Sequence, residues 1–191
     1  MKTNSLLNKL HSISKSYFSL KDAAKFYDGT LNELKVVMHR LVKQKKLIRL
    51  LRGYYTINLT RLDWEQFACE LVCPSYISFE YALNYYSVID QIPSRLTLAT
   101  IKKGREYDLP DQILEYSHFT SKLFFGYKIQ GNILIAEPEK ALLDELYLIS
   151  LKKRYLSLAE LDFSGIDKKL FNHWLEKFPV CTKKLVKTLK L

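Results

Sequence analysis

The chain has 191 residues, 48 % hydrophobic and 26 % charged, a composition that fits one ordinary globular domain or two small ones and excludes a disordered chain. Its three cysteines are too few and too unevenly placed for a disulfide framework. No N-terminal apolar run resembles a signal peptide and no stretch reaches membrane-spanning length, so a reducing cytoplasm is the expected setting and no membrane is expected as a partner. The net charge of +10 is unevenly placed: residues 1 to 60 carry 12 Lys+Arg against 3 Asp+Glu, whereas residues 61 to 191 carry 18 against 17. A balance this one-sided suits a polyanion-binding module joined to a domain with another task. A solvated basic face would give the same totals, so the pattern of elements has to decide.

Leu6, Leu7, Leu10 and Ile13 recur at helical spacing and predict a first helix. Ser19 stands where an N-cap belongs, ahead of Leu20, Ala23, Ala24 and Tyr27, which predict a second. That helix is expected to end at "DGT", with Gly29 in the left-handed conformation and Thr30 with Glu33 forming the capping box of the next. A third helix then buries Leu31, Leu34, Val37, Met38 and Leu41 and leaves Asn32, Lys35, Val36, His39, Arg40 and Lys43 on its other side. Beyond Lys45 and Lys46, "LIRLL" and "YYTI" read as a two-stranded ribbon turning at Arg52-Gly53.

Three helices followed by a basic hairpin is the plan of a winged helix-turn-helix. Such a module needs hydrogen-bond donors on one helix face and hydrocarbon on the other. Asn32, Lys35 and His39 are therefore assigned to the groove, Arg40 and Lys43 to phosphate, and Arg49, Arg52 and Tyr54 to backbone or minor groove. Simpler roles compete: Glu33 as a cap alone, His39 as a solvated histidine, Tyr54 as a packing residue.

"LTRLDWEQFACELVCP" reads as a connecting helix. Cys69 and Cys73 lie on it without a partner pair, which favours buried thiols over a metal site. His118 and His173 are isolated, so no metal is expected. From Pro74 the texture becomes mixed. "SFEYALNYYSVI" reads as a helix, "SRLTLATI", "QILEYSHF" and "SKLFFGYKI" as strands, and Gly131-Asn132 as a turn into "ILIA". "EPEKALLDELYLISLKK" predicts a helix of about 15 residues opened by Pro138. The end of the chain predicts two short helices, with Leu170, Trp174 and Leu175 inward on the first and Lys183, Lys184, Lys187 and Lys190 on the second.

No phosphate-binding glycine loop, H-E-x-x-H or G-x-S-x-G occurs. The most reactive-looking group is Glu137, Glu139, Lys140 and Asp144. Pro138 occupies the place where an E-x-K nuclease needs a carboxylate, and helix-end electrostatics with a Lys140 to Asp144 pair accounts for the group without chemistry. Neither catalysis nor a cofactor is expected. The sequence thus reads as α+β: a winged helix-turn-helix at 1–60, a connecting helix at 61–73, and a mixed α/β domain with terminal helices at 74–191.

"LIRLLRGYYTI", "PSYISFEYALNYYSVID", "LTLATIKKGR" and "LFFGYKIQGNILIAEPEKALLDELY", in that order, resemble the AbiEi family, the antitoxin half of the AbiE abortive-infection toxin-antitoxin systems. The resemblance spans about residues 15 to 152 and is most specific in the hairpin and in "IAEPEKALLD". It implies a cytoplasmic repressor of its own operon, bound to repeated operator sites on double-stranded DNA. Its C-terminal domain would counteract a nucleotidyltransferase-type toxin, with no stable toxin complex implied. A competing reading is a ligand-sensing winged-helix regulator not linked to a toxin, with an apolar pocket lined by Tyr81, Tyr85 and Phe124.

Overall fold

The computed structural model describes residues 2–13, 15–156 and 161–189; Lys190 lies outside them. The chain is α+β, and it divides into two compact units, Met1–Phe67 with Leu109–Asp111, and Ala68–Asp108 with Gln112–Leu191. No helix among the described residues is long and apolar enough to cross a membrane.

The first unit runs α1 (Lys2–His11), β1 (Phe18–Ser19), α2 (Leu20–Ala24), α3 (Leu31–Lys43), β2 (Ile48–Leu51) and β3 (Tyr54–Thr56), and ends in the first part of α4 (Trp64–Leu71). Its three strands form an antiparallel sheet in the order β1-β3-β2. The helical stripes do what their spacing dictates. Leu6, Leu10, Leu34, Met38 and Leu41 converge with Phe18, Ala23, Leu47 and Tyr55 in one core.

Two capping boxes set the helix starts. Ser19 Oγ accepts from the Asp22 amide, and the Asp22 carboxylate takes the Ser19 N–H in return. Lys25 and Ser19 together hold the pKa of that carboxyl at about 2. Thr30 and Glu33 repeat the arrangement at α3, where Glu33 Oε2 accepts from the Thr30 amide at 2.7 Å.

Three expectations need correction here. Helix α2 ends at Ala24, and single tight turns carry the chain on to Tyr27. Gly29 is not left-handed. It is small for a different reason: a Cβ there would lie 2.6 Å from the Tyr27 ring and 2.8 Å from Glu33 Oε2, the oxygen that caps α3. Leu31 is 50 % exposed, because the first helical residue projects beyond the core that Leu34 and Met38 enter.

In the second unit a six-stranded sheet has the order β6-β7-β5-β4-β9-β8. Its strands are β4 (Ser75–Ile77), β5 (Arg95–Thr100), β6 (Arg105–Asp108), β7 (Ile113–His118), β8 (Tyr127–Gln130) and β9 (Ile133–Ala136). The β4/β9 and β5/β7 pairs are parallel, the others antiparallel. α5 (Phe79–Tyr85) connects β4 to β5, and α6 (Pro138–Ser150) packs against α5, α7 (Lys168–Leu175) and α8 (Val180–Leu189).

"SKLFFGYKI" is not one strand: Ser121–Leu123 form a 3-10 turn and only Tyr127–Gln130 are extended. The break falls at Gly126, with φ +70°, where a Cβ would meet the Lys140 stem at 3.0 Å. Cys73 is exposed and Cys69 half-buried, so the expected buried thiols are not found.

Arg154, past the end of α6, gathers three carboxylates: Glu80 at 3.3 Å, Glu145 at 3.4 Å and Glu115. Arg95 also reaches Glu115, at 3.6 Å, so two guanidinium groups face the three carboxylates. Glu145 is fully buried and its Oε1 lacks a hydrogen-bond partner among the described residues. Burial raises its carboxyl pKa to about 8; Arg154 opposes the shift and Glu80 adds to it. A carboxyl raised in the folded state contributes stability that is complete below the ordinary carboxylate range and is lost as pH rises towards 8. Unfolding free energy is therefore expected to fall between about pH 5 and 8, by up to ~1.4 kcal/mol per pH unit for one proton. Glu145→Gln should flatten that slope in urea titrations run across the range. An unchanged slope would show that Glu145 is ionised in the folded protein.

Candidate nucleic-acid interface

Helical geometry spreads Asn32, Lys35, Val36, His39, Arg40 and Lys43 over one side of α3, and all six are exposed. Leu34, Met38 and Leu41, on the opposite side, are 0–1 % exposed. The helix ends in a tight closure: the Lys45 amide donates to Val42 O and the Lys46 amide to Leu41 O. Lys45 takes φ +56° there, a conformation usually left to glycine. Two more exposed cations, Lys45 and Lys46, thus follow the helix directly. The sequence assignment passed over them, although their position immediately after the Lys43 turn was signal enough.

β2 and β3 form the hairpin. A register shift between Arg49 and Leu51 lets Leu50 turn inward, 5 % exposed, while Arg49 stays outside. Arg49 Nε donates to Leu51 O at 3.4 Å, and Arg52 is exposed at the turn. Gly53, with φ +88°, makes that two-residue turn, and its carbonyl accepts from the Leu20 amide at 2.8 Å, which ties the hairpin to the start of α2. Tyr54 is half-buried and sets its ring edge-on to Phe67, with centroids 5.6 Å apart. Tyr55 faces Phe18 across the sheet and anchors the ribbon in the core.

From Leu31 to Ile57 the chain holds seven lysines and arginines and one carboxylate, Glu33. That carboxylate is engaged by Thr30. Among the described residues, none of Lys35, Arg40, Lys43, Lys45, Lys46, Arg49 and Arg52 forms a salt bridge. Their charge is left to act on solvent and on whatever polyanion approaches.

The second unit holds a different cluster. Lys140 and Asp144 pair one turn apart on α6, as expected, but neither is on the surface: both side chains are 0 % exposed. Tyr76 OH donates to Asp144 Oδ2 at 2.9 Å and accepts from Lys140 Nζ at 2.8 Å, and Ser78 Oγ donates to the same Oδ2 at 2.8 Å. The rings of Tyr76, Phe119, Phe125 and Phe178 surround Lys140 Nζ at 5.0–5.4 Å. Burial pushes the amine below and the carboxyl above their ordinary values, against their mutual attraction. Phe79 next to Ser78 is left-handed, φ +60°, at the turn from β4 into α5. A serine beside a strained turn, with a lysine near, invites a nucleophilic reading. Yet Tyr76, Ser78, Lys140 and Asp144 are all 0 % exposed and their polar atoms bond to one another. The arrangement fastens β4 to α6.

Glu139 accepts from the Asp167 amide at 2.8 Å and so holds the start of α7. Of the side chains named for an alternative ligand pocket, Tyr85 is 45 % exposed and Phe124 packs on Tyr76 and Tyr127. Among the described residues no three His, Cys, Asp or Glu are grouped as metal ligands. The chain matches no protein-family model and no curated protein sequence.

Proposed function

We propose that the first unit is a winged helix-turn-helix that binds operator DNA. In this reading α3 enters the major groove and the β2–β3 hairpin is the wing, so that the protein represses its own operon. The observation that carries it is the exposed run of cations from Lys35 to Arg52, unpaired among the described residues. Asn32, Lys35 and His39 read base edges, Arg40 and Lys43 hold phosphate, and Arg49 and Arg52 follow the backbone beside the wing. Tyr54 supports the wing from below through Phe67.

By its resemblance to AbiEi antitoxins we further propose that the protein acts in the cytoplasm as the antitoxin of an abortive-infection pair. It would counter a nucleotidyltransferase-type toxin through the second unit without a stable complex. The test is affinity for a duplex taken from upstream of its own gene, measured by fluorescence anisotropy over a range of salt. Log K should fall with log salt by about 0.9 for each phosphate neutralised. Binding that is weak at low salt and indifferent to ionic strength would remove the reading.

A further inference from the structure

Val36 adds little to the fold that holds it. It is 50 % exposed on α3, whereas Val37 and Val42, the other valines of that helix, are half-buried and packed against the core. A β-branched side chain at an exposed helical position lowers helix propensity, and here no core contact offsets the cost.

Its direction gives the position a meaning. At about 100° per residue, Leu34, Met38 and Leu41 share one mean bearing, and Val36 lies within roughly 15° of the bearing directly opposite. Asn32 and Lys43 lie close to the same line, with His39 to one side of it and Arg40 to the other. Leu31, exposed to the same degree, points roughly 130° away from that line. The centre of the face that the DNA reading turns towards the bases is therefore hydrocarbon, set among hydrogen-bond donors.

An apolar side chain pressed into the major groove needs an apolar partner. The amino, carbonyl and ring-nitrogen groups of the base edges are hydrogen-bonded to water before the protein arrives, and a valine laid over them leaves them unpaired. Thymine presents a methyl group in that groove, and the other three bases present none. Packing valine on this methyl takes both from water without stranding a polar group. Asn32 stands one turn earlier, about 6 Å along the helix axis, a distance spanned by two base-pair steps of about 3.4 Å. We propose that Val36 is a specificity-determining residue, whose methyl groups pack on the 5-methyl of one thymine in each bound operator site, so that an A·T pair is required there. This rests on the reading of α3 as the helix that enters the groove, and adds a base to it.

The test replaces each thymine of the upstream duplex in turn by deoxyuridine, which pairs alike and lacks only the methyl, and measures affinity for the full-length chain by fluorescence anisotropy at low salt. For the parent, one thymine per bound site should stand out, with binding about fourfold weaker in the uracil duplex, the worth of one buried methyl-sized group. Val36→Ala should hold the thymine and uracil duplexes equally at that position, to within about 1.5-fold, because the partner of the methyl is gone. Val36→Ile, which keeps the branched hydrocarbon, should retain a preference for thymine of about twofold or more. Alanine is the better helix former and the position is exposed, so the first variant keeps its fold. If no thymine stands out, or if the preference survives in Val36→Ala, the proposal is overturned and the DNA reading stands. If the parent does not bind the duplex at all, both fall.

Discussion

Asp144→Ala is expected to cost about 3–5 kcal/mol of unfolding free energy, a large part of the ~5–15 kcal/mol typical of a folded domain. The reason lies in what is left behind. Asp144 accepts from Lys140, Tyr76 and Ser78, all inaccessible to water. Without it an ammonium sits in an aromatic enclosure with no anion, and the Ser78 hydroxyl is left with no acceptor. Replacing both charges, as Lys140→Met/Asp144→Leu, should be milder than Asp144→Ala alone, because no uncompensated charge remains and apolar groups suit the rings around Nζ. Urea titrations of Lys140→Met, Asp144→Leu and the double close a thermodynamic cycle, and the coupling should exceed ~2 kcal/mol. A loss below ~1 kcal/mol for Asp144→Ala would mean that the carboxyl and the amine are not held together as described.

The second large effect concerns DNA. Arg49→Ala/Arg52→Ala should weaken binding to every duplex alike and lower the salt slope by about 0.9 for each phosphate that is no longer neutralised. Asn32→Ala and Lys35→Ala should instead change which duplex is preferred, by about 1–3 kcal/mol at the base pair concerned. The division follows from place. Asn32 and Lys35 lie in the first turn and a half of α3, where a recognition helix meets base edges. Arg49 and Arg52 lie on the hairpin and turn, exposed beside the helix in sequence. Competition assays with the upstream duplex and a scrambled duplex separate the two effects. Retention of full, sequence-selective binding after removal of all four side chains would refute the assignment.

Much of the first unit is legible in the sequence alone, because its signals are local. Ser19 and Thr30 are caps with their acids three residues on, and Leu34, Met38 and Leu41 recur at helical spacing. Gly29 misleads because a glycine after a helix usually signals a left-handed turn, whereas here the space beside the Tyr27 ring and Glu33 demands it. In the second unit the decisive information was not local. β6 reads "REYD", with no apolar alternation, and becomes a strand only by pairing with β7 at the sheet edge. Lys140 and Asp144 stand at a spacing typical of exposed pairs, yet residues 139 to 146 of α6 are buried all round, so its polar members are buried with it. Gly126 was the clue available, since the chain needs a residue without Cβ where it crosses the Lys140 stem.

The claim on which the functional account depends is that duplex DNA meets the protein through α3 and the hairpin. Amide shift mapping of the full chain, titrated with the upstream duplex at low salt, tests it most directly. The expected result is a continuous set of perturbed residues covering 32–46 and 49–54, fading as salt is raised. Perturbations confined to α7 and α8, or no response of α3 at saturating duplex, would contradict it.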